Sequence, residues 1–73
     1  MPTLADISPG QSARIIRIVG EDVLAMRLME LGLLEGDQIK VVGVAPLGDP
    51  IEIAVGGGRL SLRRQEAERV EVE

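Results

Sequence analysis

Carboxylates, serines and arginines are the side chains in this 73-residue sequence with chemistry to offer, since it contains no histidine and no cysteine. Acidic pairs stand at Glu21-Asp22 and around Glu35 and Asp37. Such pairs serve general acid–base catalysis when a pocket has tuned them, but charge at a helix start and polarity at a turn account for both here. The serines are Ser8 beside a proline, Ser12 at a strand start and Ser61 on the outer face of a strand, and none has an imidazole to activate it. The reading is a protein that is not an enzyme. Metal chemistry is limited in the same way. Glu35 with Asp37, or Asp49, could hold a divalent ion weakly, because tight transition-metal sites use imidazole or thiolate. No resident cofactor is expected.

Gly56-Gly57-Gly58 invites comparison with phosphate-cradling loops, which run from a strand into a helix and usually carry a lysine. Here a strand-like Arg-Leu-Ser-Leu follows, so a hairpin connection is the better reading. The segment from 21 to 32 says more. Leu24, Leu28 and Leu31 fall at i, i+4 and i+7, one face of a helix. Met26 and Met29 lie nearly opposite, leaving only Arg27 and Glu30 to wet the rest. One apolar face goes to the core. The other packs on Leu4 and Ile7, on a second copy of the chain or on a partner, and methionine suits adaptable contacts. Arg27 is placed to hold a carboxylate such as Asp49, and Arg63-Arg64 is either solvated charge or a contact for an acidic partner. The partner-contact candidates are Met26, Met29, Leu47 and Asp49.

A chain of this length forms one domain, residues 1–73, whose core supplies only about 3–5 kcal/mol unless something staples it. With no aromatic residue, the interior must be aliphatic. Twelve acidic against eight basic residues give a formal charge of -4, which argues against nonspecific nucleic-acid binding. No apolar run approaches the roughly 20 residues that span a bilayer, and no leader is recognisable, so the expected location is cytoplasmic.

Ser8-Pro9-Gly10 signals a turn. A strand follows over 12–19, with Ala13, Ile15, Ile16, Ile18 and Val19 packing, Arg14 and Arg17 outward, and a bulge to explain the broken alternation. Glu21 and Asp22 open the helix and Gly32 ends it in the left-handed conformation. A strand over 38–45, bent at Gly43, pairs antiparallel with one over 51–55 across the Pro46–Pro50 turn. Leu60 and Leu62 point inward from a fourth strand, a helical turn over 63–68 buries Ala67, and Val70 and Val72 belong to a fifth strand. The fold class is mainly β, a small SH3-like five-stranded barrel with one helix between strands 1 and 2 and a short helical turn before the last.

Four stretches in fixed order carry a family resemblance: Arg27, Leu28, Leu31, Gly32 and Leu33; Gly36 and Ile39; Ala45-Pro46-Leu47-Gly48-Asp49-Pro50; and Leu62, Arg63, Glu66 and Ala67. In these, and in the leader from Leu4 to Ile18, the chain resembles the FeoA family. The resemblance implies a small cytosolic accessory protein of bacterial ferrous-iron uptake. Its partner would be the FeoB-type transporter, met at the cytosolic GTP-binding region, with the chain peripheral to the membrane only through that partner. Self-association is a second expectation. The family's transition-metal-binding description finds little support in a chain without imidazole or thiolate. The alternative is a free-standing regulatory domain related to the C-terminal domain of DtxR-type iron-dependent repressors, although no helix-turn-helix is present.

Overall fold

A computed structural model describes every residue from Met1 to Glu73. Strands β1 (Ser12–Ile18), β2 (Gln38–Val44), β3 (Ile51–Val55), β4 (Gly58–Leu62) and β5 (Val70–Val72) form one sheet in the order β4-β3-β2-β1-β5. All neighbours are antiparallel. Helix α1 (Val23–Glu30) lies between β1 and β2, and a single helical turn, α2 (Arg64–Ala67), precedes β5. This is the SH3-like arrangement expected from the sequence.

β1 is the joint of the sheet. Ser12 to Arg14 pair with β2, Ile15 to Ile18 pair with β5, and the register shifts between Ile15 and Arg17. A bulge there adds twist and lets one strand serve both halves of a curled sheet. β2 is irregular between Val41 and Gly43, where the expected bend falls at a residue with no side chain to hold the pleat. The concave side is filled by Ile15, Ile39, Val41, Ile53, Val70 and Val72, all buried. Each such side chain contributes roughly 1.5–3 kcal/mol on burial. Ion pairs Arg14–Glu73 and Arg17–Glu71 tie the outer face of β1 to β5, and Arg59–Glu52 ties β4 to β3.

The ends of α1 follow from its sequence. The Asp22 carboxylate accepts the Ala25 N–H at 3.3 Å, satisfying one of the free donors of the first turn. At the other end Gly32 N–H donates to Met29 C=O at 3.0 Å and Leu33 N–H to Leu28 C=O at 3.3 Å. Gly32 has φ +103°, and Leu28 and Leu33 are both buried. That is a Schellman closure with its apolar contact.

Three packing expectations need correction. The helix does not bury the Leu24, Leu28 and Leu31 stripe: Ala25 and Leu28 are its buried residues, Leu24 is half-buried and Leu31 is 40% exposed. The cause is length. The helix stops at Glu30, Leu31 becomes the C-cap, and the reversal at Gly32 sends Leu33 under the helix in its place. In β1, Ile16 is only half-buried and Val19 lies beyond the strand, exposed. The leader does not cover the methionine face either. Leu4 is buried, but its 3-10 turn, Leu4–Asp6, packs against α2 and β5, and Thr3 bridges to Glu71.

Candidate functional site

Met26 and Met29 stand 57% and 46% exposed on α1. Ile18, Met29, Leu33, Leu34 and Glu35 border an apolar hollow of about 230 Å³. The Pro46–Pro50 turn is closed by Gly48 N–H to Ala45 C=O at 2.8 Å and Ala45 N–H to Pro50 C=O at 3.0 Å. The turn carries Leu47 at its tip, 97% exposed. The four partner-contact candidates therefore fall on two surfaces, the methionines on α1 and Leu47 with Asp49 on the turn.

Between α1 and that turn lies a polar cleft of about 520 Å³. Leu24 and Arg27 reach it from α1, Asp49 and Pro50 from the turn, Ser61 from β4, and Arg63, Gln65 and Glu66 from the region of α2. Three of the four sequence stretches singled out above meet in this place. Asp49 accepts the Arg64 N–H at 2.9 Å, and the Arg64 side chain reaches Gly48 C=O and Ala5 C=O. Glu66 is buried and accepts the Arg63 N–H at 2.7 Å. Both carboxylates thus organise the start of α2. The expected Arg27–Asp49 ion pair is not formed: the two share the cleft, but Asp49 spends its oxygen on the α2 backbone.

The remaining motif residues are structural. Leu28, Leu62 and Ala67 are buried, and Gly32, Gly36 and Gly48 have positive φ. Pro46 and Pro50 bracket the turn. Glu35 sits beside the apolar hollow and Asp37 at the entry to β2, and no three acidic residues come together as a metal cage anywhere in the chain. The donor set does not fit a tight transition-metal site.

Sequence reasoning missed one electrostatic element. Arg69 donates to both oxygens of Asp22 at 2.9 Å each, and to Val19 C=O at 3.2 Å. The guanidinium, followed by the Ala25 N–H, holds the Asp22 carboxyl well below the usual carboxylate range. Reciprocally, Asp22 raises the Arg69 pKa. Forty-seven residues separate the two, and nothing local to either announces the pair.

Fold and surface together define a small SH3-like domain whose distinctive features are surface features: an apolar helix face, a projecting turn and a polar cleft. The FeoA domain model matches residues 3–73, and the chain belongs to the FeoA family. The chain is 39% identical over 70 residues to the Fe(2+) transport protein A/Fe(2+) transporter FeoB fusion protein of Porphyromonas gingivalis, a match covering 96% of this chain and 8% of that protein. Among solved structures, iron(II) transport protein A from Clostridium thermocellum superimposes with TM-score 0.93 at 40% identity, covering 99% of this chain and 44% of the other. The zinc complex of Stenotrophomonas maltophilia FeoA, described as an SH3 domain protein, gives 0.87 at 34%, covering 100% and 91%. T. acidophilum IdeR shares the fold with TM-score 0.82 at 27% identity, over 94% of this chain and 32% of its own. The chain thus spans less than half of the fusion protein and of the Clostridium chain.

Proposed function

We propose that this chain, acting as one unit over residues 1–73, is a cytoplasmic accessory protein of ferrous-iron uptake that works by contact with a FeoB-type transporter. The observation that carries the reading is the Porphyromonas gingivalis relative, in which a segment 39% identical to this chain shares a polypeptide with the transporter. Fusion places two activities at high effective concentration, which is of use when they act on one another. No helix of this chain is long and apolar enough to cross a membrane. In this reading its contribution is made at the transporter's cytosolic region, through the exposed Met26 and Met29 face and the Leu47 turn. Iron is the transporter's cargo in this reading, not a ligand of the domain. Although a zinc complex is known for the Stenotrophomonas protein, the carboxylates here do not converge.

A second reading, a free-standing regulatory domain, has the likeness to IdeR in its favour. It lacks a DNA-reading helix within these residues, and the net charge opposes binding to phosphates. The experiment that separates the two is uptake of labelled ferrous ion by cells with and without the chain. The accessory reading expects uptake to change while transporter level and transcript stay constant. A change in transcript with unaltered transport per transporter favours the regulator.

A further inference from the structure

We propose that the cleft between α1, the Pro46–Pro50 turn and α2 is a receptor for an acidic peptide segment of a partner protein, gripped by Arg27 and Arg63. This deepens the protein-contact reading above and rests on it for the partner's identity alone. The chain has seven arginines. Arg14, Arg17, Arg59 and Arg69 are ion-paired, and Arg64 is bonded to backbone carbonyls. Only Arg27 and Arg63 have side chains with neither kind of partner, and both line this one cleft. Each guanidinium offers five N–H donors in a planar fork that matches a carboxylate.

Neither carboxylate already in the cleft forms an ion pair with Arg27 or Arg63. Asp49 is held by the Arg64 N–H and Glu66 by the Arg63 N–H. What the cleft presents to a visitor is donor capacity from two arginines, amide and hydroxyl groups from Gln65 and Ser61, and one apolar wall at Leu24, beside the Asp49 carboxylate and the buried Glu66 carboxylate, each already accepting one backbone N–H. Its volume falls within the range of about 300–1,000 Å³ that takes small ligands or a few residues of peptide. The charge balance selects the ligand class. At -4 overall, the long-range field repels a polyanion such as nucleic acid or an anionic membrane. Short bidentate contacts to one or two carboxylates survive that field, because they act within a few ångströms. A segment with acidic residues flanking an aliphatic one meets both the arginines and the leucine wall.

The test is a titration of isotope-labelled protein, followed by its backbone amide signals, with acetyl-Glu-Leu-Glu-Gly-amide. The Gln-for-Glu peptide and inorganic phosphate serve as parallel probes. The expected result is saturable shifts at Arg27, Ser61, Arg63 and Gln65 with the acidic peptide at millimolar concentration, and none at the Gly56–Gly58 turn. The Gln peptide leaves those signals in place, and the double substitution Arg27→Gln, Arg63→Gln abolishes the shifts without altering the melting temperature. Equal responses to the two peptides, or the absence of localised shifts, overturn the proposal. Phosphate moving the same signals as strongly makes the cleft a site for free anions and overturns the peptide assignment. The titration needs no transporter, so failure of the uptake reading leaves its outcome unaffected.

Discussion

Arg69 grips Asp22 through two hydrogen bonds of 2.9 Å, joining the first residue of α1's cap to the residue that leads into β5. Asp22 therefore serves twice, as the helix cap and as the anchor of α1 to the far end of the chain. Its carboxyl pKa is depressed in the folded state, so its contribution is fully present above the unfolded value of about 3.9. It is lost as pH falls through the folded value. Asp22→Asn, which keeps a capping oxygen, is expected to melt below wild type near neutrality, with the gap closing progressively as pH drops below about 4. Melting curves from neutral to acidic pH check this, and a gap independent of pH contradicts it. Because the pair is open to solvent, high salt should narrow the gap as well.

Gly32→Ala is expected to destabilise by roughly 1 kcal/mol or more, since φ +103° is penalised by any Cβ. A Cβ built there meets nothing within 4 Å, so the cost is one of backbone conformation and not of collision. Urea denaturation measures it. A neutral result means that the Schellman closure does not need the left-handed residue.

Ferrous ion is expected to bind only weakly, with no stoichiometric site of sub-micromolar affinity, because no histidine or cysteine is present and no three acidic residues converge. Anaerobic calorimetry settles the matter, and one tight site per chain overturns this expectation.

Replacing Met26 and Met29 together by glutamate is expected to leave a cooperative fold, as neither side chain belongs to the buried core. Association should weaken, because charge at an apolar contact must be desolvated without a counter-ion. Leu28→Ala is the contrasting control. Leu28 is fully buried, and a loss of about 2–5 kcal/mol rivals the whole stability of a domain this small. Circular dichroism reports the fold and sedimentation the self-association. Unfolding of the methionine double mutant assigns both residues to the core.

The strands were legible in the sequence because alternation and β-branched residues mark them, as in Ile51, Ile53 and Val55, and because glycines punctuate them. Gly32 and Gly43 announced the helix end and the bend in β2. What was not legible depends on tertiary placement. The leucine periodicity pointed to Leu31, but an eight-residue helix reverses before that position can reach the core, and Leu33 takes it. Arg27 and Asp49 meet the same cleft without meeting each other, because the α2 backbone claims Asp49. Leu24, Ser61 and Gln65 join the cleft with no local mark of their own. Arg69 and Asp22 find each other only once the sheet has closed.

Protein contact with the transporter is tested most directly by one binding measurement. The purified chain is titrated calorimetrically into the soluble cytosolic region of the cognate FeoB-type transporter, with and without guanine nucleotide. Saturable binding by the wild-type chain in at least one nucleotide state is expected, together with clear weakening by the Met26→Glu, Met29→Glu double mutant. Absence of binding by the folded wild-type chain in both states contradicts the account.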